Sequence, residues 1–249
     1  MNGVRPCHVK NHSELASEWD QLAQERHRQI ASGEDISYEH VLVPTMFNLL
    51  EGIDLTLVCD IGAGTGNFTN RLTKIATNVM KLSSRDARNV QFVQSPVEDL
   101  NDAIVGKQAT AAVAVMTLMT APNLEAFARA VSGLLPAGGK FVATLSHPCF
   151  WPMYWGYDSE EWFDYSKEIF IEGPFVISRC RTNVITTHIH RPVGQYLQTF
   201  AESGFNLDAL VEPIPAPEVQ ALYSKRWRFP RFLGLSWTKT GKWIEKGSY

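Results

Sequence analysis

The chain has 249 residues, of which 45% are apolar and 20% are charged, and its formal net charge is −3. This length suits one large α/β domain, or one domain that carries an insertion, with the composition of an ordinary globular protein. The slightly negative charge argues against nucleic acid and anionic membrane as general partners, and no apolar run approaches the ~18 residues of a membrane span.

The N-terminal segment 1–20 lacks the apolar stretch of a secretory signal. Four cysteines, Cys7, Cys59, Cys149 and Cys180, are scattered without a CxxC pair. Such cysteines are typical of reduced thiols in a cytoplasmic protein, so we expect that location and no disulfide framework.

The first predicted element is a helix. Asn11 and Glu14 have the spacing of a capping box, and Leu15, Trp19, Leu22 and Ile30 then recur on one helical face. A second helical stretch is predicted over residues 38–50. Short apolar strands are predicted over 55–61, 90–94, 111–116 and 140–147, with helices after the first strand, over 124–135 and over 192–204.

Further strands are predicted near 207–211 and 237–243. Strands that alternate with helices predict an α/β fold with a Rossmann-like, mostly parallel sheet and helices on both faces. We expect a single domain over residues 1–249.

A glycine-rich turn lies between the first strand and its helix. Gly62, Gly64 and Gly66 follow Asp60 directly, and such glycines let the backbone bend tightly and let a ligand approach it. Position 67 is Asn, so the dinucleotide fingerprint GxGxxG is absent, and there is no Walker loop. The turn predicts a ligand site at the carboxyl ends of the strands.

The turn Asp60-Ile-Gly-Ala-Gly-Thr-Gly66 resembles the first motif of class I S-adenosylmethionine-dependent methyltransferases. Residues 134–142, 147–150 and 190–213 resemble later parts of the small-molecule members, so the resemblance covers about residues 13–215. It implies an enzyme that transfers a methyl group from S-adenosylmethionine to oxygen or nitrogen of a small molecule, in secondary metabolism, with S-adenosylhomocysteine as product.

The same resemblance implies a set of cofactor-binding residues and a covering role for the N-terminal helices over about residues 1–50. The residues are Trp19, Asp60, Gly62, Ala63, Gly64, Gly66, Ser83, Val97, Glu98 and Met116. The family places a ribose-binding acid near position 83, where this chain has Ser83, and no Asp or Glu occurs over 67–85.

The second βα unit is short. If the second strand covers about 78–82, only residues 83–89 separate it from the next strand, whereas a parallel crossover needs at least ~10–12 residues. We expect an abbreviated second unit; a missing strand or a deletion would give the same pattern. The missing acid also supports an alternative function, a catalytically inactive methyltransferase-like binding or assembly subunit, against which the intact glycines argue.

The stretch 150–165 contains eight aromatic residues. Together with the following residues, to about 190, it predicts a lid insertion after the fourth or fifth strand, which closes an apolar pocket over the methyl acceptor. A hydrophobic cluster or a dimer contact is the alternative. The residues that we expect to contact the substrate are Trp151, Tyr154, Trp155, His190 and Arg191.

His147 lies at the carboxyl end of a predicted strand beside this lid. It is the predicted general base for a hydroxyl acceptor, and a packed histidine that supports the following turn is the alternative. His188, His190 and Tyr154 are weaker candidates for the same role.

Other partners are not indicated. The histidines and cysteines over 147–190 have no recognised zinc spacing, and no acidic trio follows the strand at 111–116, so no metal is expected. The stretch Lys225–Arg231 interleaves cations with aromatics, as in single-strand binding, but a solvated face or a loop that closes the pocket fits a negative chain better. A small-molecule substrate, a monomer or homodimer, and no nucleic-acid or membrane partner are expected.

Overall fold

A computed structural model describes residues 3–81, 90–100, 109–177 and 181–240. Its helices are α1 His12–Ala31, α2 Val43–Leu50, α3 Asn67–Leu72, α4 Leu124–Leu134, α5 Trp151–Trp155, α6 Val193–Glu202 and α7 Pro217–Gln220. Its strands are β1 Arg5–Pro6, β2 Leu57–Asp60, β3 Asn78–Lys81, β4 Val90–Phe92, β5 Ala111–Val115, β6 Lys140–Ser146, β7 Ile169–Val176, β8 Arg181–His190, β9 Phe205–Val211 and β10 Phe232–Lys239.

A seven-stranded sheet with the order β4-β3-β2-β5-β6-β10-β9 forms the centre of the molecule. The strands from β4 to β6 in this order are mutually parallel, and β10 is antiparallel to both of its neighbours. The mostly parallel Rossmann-like sheet is therefore confirmed. The last strand, expected near 237–243, begins earlier, at Phe232.

The sheet carries helices on both faces, as predicted. On one face, α4 and α6 pack over a cluster in which the rings of Phe141 and Phe200 lie within 5.4 Å and 4.5 Å of the ring of Trp237. On the other face, α2 and α3 contribute Met46 and Phe68 to a second cluster. The central strands β2, β5 and β6 thus bury both faces, which accounts for their nearly continuous apolar sequences.

The helix α1 begins as the sequence indicates. Asn11 Oδ1 accepts a hydrogen bond from the backbone N–H of Glu14 at 3.0 Å, and the backbone N–H of Asn11 donates to Glu14 Oε2 at 2.9 Å. Both bonds pair backbone groups that a helix N-terminus otherwise leaves without partners.

The second βα unit is abbreviated, as expected. The strand β3 exists and pairs in parallel with both β2 and β4, so a missing strand is excluded. Residues 82–89 alone connect β3 to β4, which is shorter than the minimum crossover of about 10–12 residues.

The predicted lid follows β6, the fifth strand of the large sheet in chain order. It consists of α5 and the antiparallel pair β7–β8, and β1 adds a third strand beside β7. The N-terminal strand was not predicted to belong to this unit, because a two-residue strand carries no periodicity of its own.

A polar cluster joins α1 to the lid sheet. Lys10 Nζ lies 2.7 Å from Glu18 Oε1, 3.0 Å from Glu172 Oε2 and 2.9 Å from Thr187 Oγ1. Glu18 also accepts a hydrogen bond from the backbone N–H of Thr187 at 2.7 Å. The helix and the small sheet therefore form one cover over the carboxyl end of the large sheet. Among the described helices, none has the length and apolar character needed to cross a bilayer.

Candidate functional site

A cavity of about 570 Å³ lies between the carboxyl ends of β2, β5 and β6 and this cover. Its volume is within the range of small-molecule sites, about 300–1,000 Å³. One face of α1 lines it with Ala16, Trp19, Asp20, Ala23, Arg26 and Ile30. The position agrees with the rule that open α/β sheets bind ligands beyond the carboxyl ends of their strands.

The glycine turn forms one wall of the cavity. Gly62, Gly64 and Gly66 have φ of 67°, 51° and 80°, conformations that other residues rarely adopt. A Cβ at position 62 would lie 2.4 Å from Cγ2 of Thr117, whereas a Cβ at position 64 would meet nothing closer than the Gly62 carbonyl oxygen at 4.0 Å. Gly62 is therefore required by packing, and Gly64 leaves the cavity wall open to a ligand.

Two aromatic residues that line the same cavity carry buried polar atoms without partners among the described residues. The Trp19 Nε1–H and the Tyr38 hydroxyl are buried and have no hydrogen-bond partner among the described residues. Burial raises the pKa of Tyr38, so its hydroxyl stays protonated. An unpaired buried donor costs about 1–3 kcal/mol, and a bound polar ligand would remove that cost.

Asp60 and Met116 lie at the ends of the two central strands. Asp60 is 1% exposed and accepts a hydrogen bond on Oδ2 from Thr69 Oγ1 at 2.6 Å. Met116 has a φ of 55°, the one positive value for a non-glycine residue in the described part of the chain. Such strained backbone clusters at ligand sites, and Met116 lines the cavity.

Only some of the predicted cofactor residues line the cavity. Those that line the cavity are Trp19, Asp60, Gly62, Ala63, Gly64 and Met116. Gly66, Val97 and Glu98 do not: Gly66 is the N-cap of α3, Val97 is buried in the core, and Glu98 Oε1 lies 3.3 Å from His12 Nε2. Ser83 lies outside the described residues. The binding roles of all of them stay predictions.

The predicted substrate residues are divided in the same way. Trp151, Tyr154 and Trp155 line the cavity. His190 and Arg191 face a separate space of about 10 Å³, too small for a substrate.

His190 and Arg191 have partners within the protein. His190 Nε2 contacts the Tyr165 carbonyl oxygen at 3.0 Å. Arg191 is 1% exposed, pairs with Glu168 and donates to the Ala121 carbonyl oxygen at 2.8 Å. The first two contacts lie within the lid, and the bond to Ala121 joins its end to the segment that follows β5.

His147 does not line the cavity. It is 2% exposed, and its Nδ1 accepts the backbone N–H of Cys149 at 3.2 Å. The proton therefore lies on Nε2, which donates to Glu212 Oε1 at 2.7 Å. Burial lowers the pKa of His147, although Glu212 opposes that shift. This is the geometry of the packed histidine considered above, and it leaves neither ring nitrogen for an acceptor.

His188 is the histidine that lines the cavity. Its Nε2 lies 3.1 Å from the Tyr157 hydroxyl, and its ring meets Trp155 edge-on at 4.9 Å. Burial, with a smaller contribution from His190, lowers the pKa of His188 to about 3, so the ring is neutral. From the sequence, His188 is only a weaker candidate for the general base, together with His190 and Tyr154.

Arg231 is a further lining residue that the sequence did not single out. Its guanidinium carbon lies 4.0 Å from the ring centre of Tyr154 and 4.3 Å from that of Trp227. The alternation of cations and aromatics over Lys225–Arg231 was the available signal. Lys225, Arg226 and Arg228 are exposed, whereas Trp227 and Arg231 are buried.

No family model and no curated protein matches the sequence. Among solved structures, a provisional S-adenosylmethionine-dependent methyltransferase from Listeria monocytogenes is 21% identical with a TM-score of 0.61, over 78% of this chain and 96% of its own. The 1,6-didemethyltoxoflavin-N1-methyltransferase of Burkholderia thailandensis, solved with 1,6-didemethyltoxoflavin and S-adenosylhomocysteine, is 14% identical with a TM-score of 0.60, over 95% of each chain.

An S-adenosylmethionine-dependent methyltransferase from Clostridium acetobutylicum is also 14% identical with a TM-score of 0.60, over 90% of this chain and 99% of its own. All three similarities extend over most of both chains, although the sequence identities are low. The chain thus has the fold of the S-adenosylmethionine-dependent methyltransferases.

Proposed function

We propose that this chain is an enzyme that transfers a methyl group from S-adenosylmethionine to an oxygen or nitrogen atom of a small molecule. The observation that carries the proposal is a cavity of about 570 Å³ with the glycine turn on one side and the aromatic lid on the other. The cofactor would lie against the backbone of the glycine turn and the acceptor against the aromatic rings of the lid, so both substrates of a transfer reaction have a place. The Burkholderia protein, solved with 1,6-didemethyltoxoflavin and S-adenosylhomocysteine bound, supports a small-molecule acceptor.

The residues present fit the cofactor. Gly64 leaves the turn open, and the unpaired Trp19 Nε1–H and Tyr38 hydroxyl offer two donors. Asp60, Gly62 and Met116 complete the set that would hold it. When bound, S-adenosylmethionine supplies a methyl group on a positively charged sulfur, which is already activated for displacement. The main task of the protein is therefore alignment of the acceptor, for which proximity and orientation are the largest contributions.

On the acceptor side, we assign the hydrogen-bonding role to His188 in place of His147. Because the pKa of His188 is about 3, its ring remains neutral at physiological pH and can accept or donate a hydrogen bond. Tyr157 fixes the ring through Nε2, and Trp155 packs against it. The ring can thus orient a hydroxyl or amine, while the aromatic lining keeps water away.

Two measurements on the purified chain test the proposal. Calorimetry with S-adenosylhomocysteine is expected to show micromolar binding, and labelled S-adenosylmethionine is expected to transfer its methyl group to members of a library of small phenols and heterocyclic amines. Absence of binding at millimolar S-adenosylhomocysteine would contradict the enzyme and favour the inactive binding subunit. Binding without transfer to any member would leave the cofactor in place and contradict the acceptor class.

A further inference from the structure

Arg231 is held in the cavity by aromatic rings. It immediately precedes β10, is 7% exposed and lines the cavity. Besides Tyr154 and Trp227, Tyr223 lies with its ring centre 5.4 Å from the guanidinium carbon. Contacts between a guanidinium and ring faces are attractive and fix its plane, so the group is oriented before any ligand binds.

Arg231 differs from the other buried or half-buried cations near the cover. Lys10 is paired with Glu18, Arg26 with Asp35 and Arg191 with Glu168. Within the described residues, the guanidinium of Arg231 lies over three aromatic rings, and its side chain forms neither an ion pair nor a hydrogen bond. An arginine keeps its charge at any physiological pH, and a buried charge without a counter-charge is unfavourable.

The acids of the cavity do not supply that counter-charge. Asp35 accepts hydrogen bonds from Arg26 and from the backbone N–H of Tyr38, and Asp60 is bonded to Thr69. Asp20 is exposed on α1 and forms no ion pair with Arg231 among the described residues. Among the described residues, no acid therefore supplies the negative charge, and a ligand in the cavity can supply it.

The surroundings of Arg231 also restrict the shape of such a ligand. Tyr154 stacks on the guanidinium. The cavity is lined by Tyr154 and by three further aromatic residues, Trp151, Trp155 and Phe232. Flat rings suit such a lining, and the planar donor fork of arginine matches a carboxylate or a phosphate with two parallel hydrogen bonds.

We propose that Arg231 binds an oxyanion, a carboxylate or a phosphate, on a flat aromatic methyl acceptor. This inference rests on the proposed methyl transfer, because it assigns the charge of the acceptor. Arg231 would then determine specificity: acids are accepted, and neutral isosteres, which leave the buried guanidinium without a counter-charge, are rejected.

The test compares acids with matched neutral amides. A panel of one-, two- and three-ring aromatic carboxylates, the corresponding aryl phosphates and the carboxamides is titrated into the full-length chain saturated with S-adenosylhomocysteine, with dissociation constants from calorimetry. At least one acid is expected to bind about tenfold or more tightly than its amide, as hydrogen bonds between charged groups are worth that much. The carboxylate and phosphate series show which oxyanion the site prefers.

Three variants assign the preference to Arg231. Arg231→Gln is expected to reduce the ratio of acid to amide affinity to below about threefold, and Arg231→Lys, which keeps the charge but not the planar fork, is expected to retain part of it. Arg228→Gln removes the same charge from an exposed position in the same segment and is expected to retain all of it. Thermal melts show whether each variant is folded. If Arg231→Gln does not fold, the ratio of acid to amide affinity in Arg231→Lys is compared with that in Arg228→Gln, and a lower ratio in Arg231→Lys is expected.

The proposal is overturned if no acid binds the wild-type chain more tightly than its amide, or if the preference survives in folded Arg231→Gln. Failure of the proposed function gives a different result, namely no binding of S-adenosylhomocysteine in the initial saturation step. The acid series is then repeated without it, so the two conclusions are tested separately.

Discussion

The ring of His147 donates from Nε2 to Glu212 Oε1 over 2.7 Å, and this bond joins the end of β6 to the residue that follows β9. Its Nδ1 accepts the backbone N–H of Cys149, which begins the turn into α5. One neutral ring thus connects the large sheet to the lid. His147 therefore supports the fold, whereas His188 is the histidine proposed to contact the acceptor.

Replacement of His147 by Gln is expected to reduce stability more than binding. The loss of two partly buried hydrogen bonds and of the ring packing on Phe150 should cost about 1–3 kcal/mol, measured by urea unfolding. The dissociation constant of S-adenosylhomocysteine should stay within about twofold of wild type. Glu212→Gln is the control and should cost under about 1 kcal/mol, because that carboxylate is half-exposed. A variant that is as stable as wild type but loses methyl transfer would restore His147 as a catalytic residue.

Replacement of Gly64 by Ala is expected to weaken S-adenosylhomocysteine binding about tenfold or more, because the new Cβ projects where only the ligand would meet it. The backbone cost at positive φ is about 1–2 kcal/mol. Gly33→Ala has a similar φ of 72°, with nothing within 4 Å of the new Cβ and no place in the cavity lining. Calorimetry and thermal melts on both variants separate the two effects; equal affinities for the ligand would contradict the role of Gly64.

Gly62→Ala is expected to be much less stable than Gly64→Ala, although both positions have positive φ. Its Cβ would lie 2.4 Å from Thr117 Cγ2, and such overpacking adds about 1–3 kcal/mol. A double-mutant cycle with Thr117→Ala, measured by urea unfolding, should recover part of the loss, because that change removes the two nearest atoms. Strict additivity of the two changes would show that the clash is relieved in another way.

Lys10→Met is expected to loosen the cover. It leaves Glu18 and Glu172 without their common cation at side-chain exposures of 15% and 16%, and removing one partner of a buried ion pair costs about 3–5 kcal/mol. Hydrogen exchange should become faster in α1 and β8 together. Lys167→Met breaks a pair in which the lysine is 71% exposed and should change exchange little; protection in α1 that survives Lys10→Met would argue against the cluster.

Stability is expected to fall as the pH drops below about 6.5. Burial lowers the pKa of His188 to about 3 in the folded chain, whereas the pKa of a histidine in the unfolded chain is near 6.5. Below about pH 6.5 the unfolded chain therefore binds a proton at His188 that the folded chain does not bind. The neutral ring therefore stabilises the fold above the unfolded pKa, and the loss between pH 6.5 and 5 is on the order of 2 kcal/mol.

Burial also lowers the pKa of His147 and His190 and adds to this loss. His188→Asn should flatten the dependence of the unfolding free energy on pH by roughly the His188 share. An unchanged slope between pH 7 and 5 would mean that His188 is protonated in the folded chain.

The parts of the fold that sequence alone predicted are those set by local pattern. The capping box at Asn11, the glycines of the turn and the apolar strands depend on neighbours within a few residues, and they take the expected form except for the last strand, which begins at Phe232. The distribution of the histidines was not predictable in this way. His147 is fixed by Glu212, 65 residues later, while His188 enters the cavity because β8 pairs with β7 in one register. Likewise, exposed Arg228 and buried Arg231 look alike in the sequence.

The pairing of β1 with β7 has a consequence for synthesis on the ribosome. Arg5 lies opposite Glu172 in the small sheet, so the first strand has no partner until about 170 residues have been made, and at about 5–20 residues per second this takes roughly 10–30 s. During that interval the leucines of α1 that end buried, Leu15 and Leu22, remain uncovered on the nascent chain. The N-terminal cover should therefore be among the last parts to assemble, after the glycine turn and its strands, and a chaperone that shields apolar helices would act on it first.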